Sequence, residues 1–200
     1  MEIITFTGGA VQTNGYFAKT AAGNLLFDAP AEIDLFLKSK DLSVDHLFLT
    51  HQHFDHVEDA DIIEAKKYCY EAYNCELIRD KEAREWGLDV SVPPFEVNEV
   101  LEGRESITIF DLEIQLLYVP GHSPDSLAFY LPSEGVVFGG DALFAGGIGR
   151  ADLPGGDEAT LLRSISEKLY VLPDETIVYP GHGPSTTIGK EKRSNPFIRG

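Results

Sequence analysis

Thr50-His51-Gln52-His53-Phe54-Asp55-His56-Val57 stands directly after the apolar run Leu47-Phe48-Leu49. Four side chains able to bind a metal, His51, His53, Asp55 and His56, fall within six residues. Read as a strand, the apolar run places residues two apart on one side. His51 and His53 are then expected to converge where strand gives way to loop. Asp55 and His56, being adjacent, are expected to diverge. The simplest arrangement is two neighbouring metal positions, one held by His51 and His53 and the other by Asp55 and His56. Imidazole loses solvation on burial and gains little from apolar packing, whereas neutral imidazole with carboxylate is a good ligand set for zinc, iron or manganese.

Working outward, the same signal recurs. Leu112 to Val119 reads as a strand ending in Pro120-Gly121-His122, Val136 to Phe138 as one ending in Gly139-Gly140-Asp141, and Thr176 to Tyr179 as one ending in Pro180-Gly181-His182. Glycine permits the sharp turn and proline stops the ladder. Strands whose ends meet on one edge would gather all seven side chains, using five of the six histidines. His46 lies before the apolar run and is read as a surface or structural histidine.

The first thirty residues predict a β-meander, with strands near 3–7, 16–18 and 25–27 and tight turns at Asn14-Gly15 and Gly23-Asn24. Asp28 and Pro30 suggest the start of a helix running to about Lys40. Acids followed by Lys66 and Lys67 suggest another after Val57. A short strand near Leu77-Ile78, a helix near 81–86, a strand at 127–131 and a helix from Asp157 as N-cap complete the reading.

The 200 residues fit one domain with a sizeable core. No apolar run approaches the roughly 18 to 20 residues of a membrane span, and the N-terminus does not read as a signal peptide. The net charge of −17 disfavours nucleic acid, whose binding needs phosphate neutralisation. Cys69 and Cys75 are expected to be reduced packing residues in a cytoplasmic protein.

His51-x-His53-x-Asp55-His56 followed by His122, Asp141 and His182 resembles the metallo-β-lactamase superfamily over essentially the whole chain. The resemblance implies an α+β fold, the four-layer αββα sandwich of two mixed β-sheets flanked by helices. It implies two divalent ions, zinc first, with iron or manganese also accepted. His51, His53 and His122 would hold the first ion, Asp55, His56 and His182 the second, and Asp141 would bridge them. Gly147-Ile-Gly-Arg150-Ala-Asp152 and Tyr179-Pro-Gly-His-Gly-Pro are similar to the short glyoxalase II-like branch, which hydrolyses thioesters such as hydroxyacylglutathiones.

On that resemblance the reaction is hydrolysis of a small-molecule thioester by a metal-bridging hydroxide, with Asp55 also orienting the hydroxide. No membrane or nucleic-acid partner is expected, and neither is the C-terminal glutathione-binding helical domain of glyoxalase II, so residues 1–200 are read as one domain. Phe144 and Arg150 are candidate substrate-binding residues, Arg150 alternatively pairing with Asp152. The rival readings are a mononuclear iron persulfide dioxygenase and a lactone hydrolase. Antibiotic hydrolysis is disfavoured because a bridging Asp141 is not a feature of the true β-lactamases.

Overall fold

The computed structural model describes residues 1–200. The chain forms two compact units, residues 1–102 and 103–200. The first is built on strands β1 (Glu2–Gly8), β2 (Thr13–Lys19), β3 (Asn24–Phe27), β4 (His46–Phe48), β5 (Lys66–Cys69) and β6 (Glu99–Val100), which pair in that order as one mixed sheet. β1 to β3 form the expected antiparallel meander, and β3 to β6 run parallel. Helix α1 (Ile33–Ser39) buries Ile33 and Leu37, one turn apart, in a core with Phe17, Leu26 and Leu47. Three shorter helices follow, α2 (Phe54–Val57), α3 (Cys75–Ile78) and α4 (Asp80–Glu85).

Register explains why strands this short hold. Phe27, Phe48 and Tyr68 are directly opposed across β3, β4 and β5. Their rings stack with centroids 5.2 and 4.6 Å apart. Each such buried aromatic contributes roughly 1.5–3 kcal/mol by leaving water. His46 is structural, as expected, its Nδ1 lying 2.9 Å from Tyr68 Oη.

Several local expectations for this unit are corrected. Asn14-Gly15 lies inside β2, and the turn falls at residues 9–12. Gly15 is there for close approach, since a Cβ on it would stand 2.4 Å from Ile33 Cδ1. Residues 58–62 form turns, not a helix, because Asp59 is drawn to α1, where its Oδ2 accepts a hydrogen bond from Asp34 N at 3.0 Å. Leu77-Ile78 lies on α3, started by Asn74, whose Oδ1 accepts from Glu76 N. α1 starts at Ile33, and Asp28 does not cap it. Neither cysteine forms a disulfide, Cys69 being buried in the core but Cys75 exposed.

The second unit carries β7 (Ser106–Ile109), β8 (Leu112–Tyr118), β9 (Leu127–Leu131), β10 (Val136–Gly140), the small hairpin β11 (Leu143–Phe144) and β12 (Gly147–Ile148), helix α5 (Glu158–Ser164), β13 (Ile177–Pro180), β14 (Thr186–Thr187) and α6 (Ile188–Ser194). Its main sheet has the order β14-β13-β10-β9-β8-β7 and is antiparallel except where β10 and β13 run side by side in parallel. α5 lies in the crossover between those two strands. It begins at its expected cap, Asp157 Oδ1 accepting from Thr160 N at 2.7 Å, and continues through a π-helical turn at Ile165–Leu169. Leu161, Ile165 and Leu169 are fully buried against Val137 and Val178.

α5 also decides the turn before His122. Gly121 has φ +130°, and a Cβ there would lie 2.3 Å from Leu161 N. Asp157 N donates to Gly121 O at 2.8 Å. Gly121→Ala is expected to cost at least about 2 kcal/mol, from overpacking against backbone added to strain. Urea unfolding measures it, and an unchanged midpoint would mean that the turn does not seat on α5.

Candidate metal centre

β4 stops at Phe48, so His51 and His53 lie in the following loop and not on the strand. They converge nonetheless, with ring centroids 4.6 Å apart and edge-on. Asp55 and His56 sit on α2, and the expectation that they diverge is corrected. His56 Nε2 is 3.4 Å from Asp55 Oδ2. The His56 ring is also 4.1 Å from that of His51. A short helix accomplishes what an extended chain could not, by turning consecutive side chains toward one point. All four residues are buried.

Hydrogen bonds fix which nitrogen His51, His56 and His122 offer. His56 Nδ1 lies 2.8 Å from Asp28 Oδ2, an acceptor only, so Nδ1 carries the proton. Thr50 Oγ1 donates to the same Oδ2 at 2.9 Å, and its lone pairs face His51 Nδ1 at 3.1 Å. Thr50 N donates to Asp28 Oδ1 at 2.8 Å. Asp28 therefore orients His56 directly and His51 through Thr50, leaving a lone pair on each Nε2. Asp28 has φ +61°, which an Asp tolerates better than most residues. Thr13, buried on β2, donates to Asp55 Oδ2 at 2.6 Å and sets that carboxylate.

Asp28, Thr50 and Thr13 were missed as site residues in the sequence. Asp28 carried a signal, since it ends the apolar run Leu25-Leu26-Phe27 much as the other candidates end theirs. Thr13 carried none. Glu58, one turn beyond Asp55, is pushed up to about 7 by burial and then by the negative charges of Asp55 and Asp59. The surroundings are thus electronegative, as befits a cation site.

In the second unit, Asp141 and His182 follow the parallel neighbours β10 and β13, and Gly181 N donates to Gly140 O at 2.8 Å. That register puts His182 Nε2 3.3 Å from Asp141 Oδ2. His122 Nε2 is 3.5 Å from the same oxygen. His122 Nδ1 donates to the carbonyl of Arg150 at 2.7 Å, so its Nε2 too bears the lone pair. Gly149 allows this approach, because a Cβ there would fall 1.9 Å from Asp141 O. Phe144 lies edge-on to His182, with centroids 6.1 Å apart. Arg150 holds Asp152 through two hydrogen bonds of 2.8 and 2.9 Å, which keep that carboxyl below the usual range. Lys192 and Arg193 on α6 pair with Asp174.

Each of the seven candidate ligands belongs to a group of His and Asp donors able to hold a metal ion. The fit is chemical. Imidazoles, three of them with anchored Nδ1 atoms, and the carboxylates of Asp55 and Asp141 form a donor set that divalent zinc, iron or manganese accepts. Asp28→Asn keeps the shape but is expected to turn an amide N–H toward His56 Nδ1, favouring the wrong tautomer. Metal affinity, read by chelator competition, should fall about 10- to 100-fold with little change in unfolding of the metal-free protein. An unchanged affinity would contradict the assigned role of Asp28.

Residues 8–182 match the model of the metallo-β-lactamase superfamily. The hydroxyacylglutathione hydrolase GloC of Haemophilus influenzae is 38% identical over 81% of this chain and 79% of its own. A crystal structure described as the BLEG-1 B3 metallo-β-lactamase matches with a TM-score of 0.89 at 33% identity, covering all of both chains. One of TTHA1623 in a di-iron-bound form matches with a TM-score of 0.85 at 40% identity, covering 98% of this chain and all of the other. The fold class expected from the sequence is the one these structures share. The chain belongs to the metallo-β-lactamase superfamily, as a metal-dependent hydrolase.

Proposed function

We propose that the protein is a binuclear hydrolase of thioesters of the hydroxyacylglutathione type. His51, His53 and His122 would hold one divalent ion and Asp55, His56 and His182 the other, with Asp141 shared between them. The position of Asp141 carries this reading. Its Oδ2 stands 3.5 Å from His122 and 3.3 Å from His182, the histidines assigned to different ions, as a bridging carboxylate must. The likeness to GloC supports the substrate class.

Bound there, a pair of divalent ions would supply Lewis acidity and lower the pKa of a bound water toward neutrality. The residues provide the rest. Asp28, Thr50 and the Arg150 carbonyl hold the imidazole protons on Nδ1. Thr13 holds Asp55 so that its carboxylate orients the attacking water. Phe144, against His182, forms an apolar wall beside the reacting carbonyl. The Arg150 guanidinium is engaged by Asp152, for which a substrate carboxylate would have to compete. A thiol leaving group of pKa about 8.5 departs as the thiolate, so no general acid is needed. The protein is read as cytoplasmic, acting on a small molecule and on neither nucleic acid nor membrane. No helix is long and apolar enough to cross a membrane.

β-Lactam hydrolysis is the second reading, favoured by the likeness to the BLEG-1 structure but opposed by the bridging position given to Asp141. The test is anaerobic thiol release from S-D-lactoylglutathione by protein loaded with zinc, with iron and with no metal, with nitrocefin and glutathione persulfide as parallel substrates. Metal-dependent thiol release without oxygen is the expected result. No release in any form would contradict the thioester reading. Nitrocefin opening, or oxygen uptake with the persulfide, would then replace it.

A further inference from the structure

Glu191 is a buried charge that the metal centre does not use. It lies on α6, fully inaccessible, and only neutral donors are seen around it. Thr186 Oγ1 donates to its Oε1 at 2.5 Å, and Gly146 N and Asn195 Nδ2 donate to its Oε2 at 2.9 and 3.0 Å. Asn195, equally buried, also donates through Nδ2 to Gly147 O at 3.0 Å. Burying a carboxylate is costly, and hydrogen bonds to it are correspondingly strong. A helix that merely covered a core would carry an apolar side chain at this position.

What the carboxylate and the amide hold is main chain, the N–H of Gly146 and the carbonyl of Gly147 at the turn of the β11–β12 hairpin. Phe144, on the first strand of that hairpin, faces His182. The stretch from Asp141 to Arg150 is thus tied at three places. Its two ends serve the ligands, through Asp141 itself and through the Arg150 carbonyl on His122, and its tip is tied to α6. The ends have supports of their own, Gly149 N donating to Ala142 O and Gly181 N to Gly140 O. Loosening the tip therefore frees Phe144 without freeing the ligands.

We propose that Glu191 and Asn195 are positioning residues that hold the Leu143–Ile148 hairpin, and with it Phe144, as the substrate wall beside His182. They set how well a substrate fits and not whether ions bind. The substrate part of this proposal rests on the thioester reading, whereas the hairpin part does not.

Asn195→Ala and Glu191→Gln test it in metal-loaded protein. Glutamine can keep every bond, because the Thr186 hydroxyl accepts as well as donates. In Asn195→Ala, hydrogen–deuterium exchange of the 143–149 amides is expected to rise about 10-fold or more, while the other sheet amides and the ion content stay as in the parent. Its KM for S-D-lactoylglutathione is expected to rise about 10-fold with kcat within about 3-fold. Glu191→Gln should match the parent in every readout. Unchanged hairpin exchange in folded Asn195→Ala would overturn the proposal. So would loss of an ion with a fall in kcat and no change in KM. If the parent does not release thiol at all, the thioester reading fails by itself, and exchange with ion content still decides whether the pair positions the hairpin.

Discussion

An imidazole can offer one nitrogen to a metal only when the proton on the other has somewhere to go. The hydrogen bonds of Asp28 to His56 and, through Thr50, to His51 meet that requirement in the first unit. The Arg150 carbonyl meets it for His122 in the second. These acceptors fix tautomer and ring orientation together for three of the candidate ligands, His51, His56 and His122.

The acceptors are where they are because of strand ends. β3 and β4 are parallel neighbours, so the residues that follow them, Asp28 and Thr50, emerge side by side. β10 and β13 do the same for Asp141 and His182. β8 reaches the site by another route, its Pro-Gly-His turn pressed onto α5 at a distance that only glycine permits. Stability and function are therefore hard to separate at these turns. A substitution that strains Gly121 or Gly149 moves a candidate ligand as well as the backbone.

Much of the sheet structure was legible in the sequence. The strand at 127–131 and the N-cap at Asp157 lie where the residues put them, because long apolar runs and a capping side chain are local signals. Leu77-Ile78 was misread past a local signal, the Asn74 cap that starts α3. Asn14-Gly15 and the acids after Val57 misled because each is decided by a partner that local pattern does not contain, Ile33 over Gly15 and α1 drawing in Asp59. The supporting residues of the centre were hidden in the same way. Thr13 and Asp55 are 42 positions apart and Asp28 and His56 are 28 apart, so neither pair forms a motif.

We propose that one chain holds a carboxylate-bridged pair of ions. Electron paramagnetic resonance of manganese(II)-loaded protein, with metal content measured on the same sample, tests it most directly. The account predicts two ions per chain and an exchange-coupled spectrum that collapses to that of isolated ions in Asp141→Ala. A single ion per chain, or two ions without coupling in the parent protein, would contradict it.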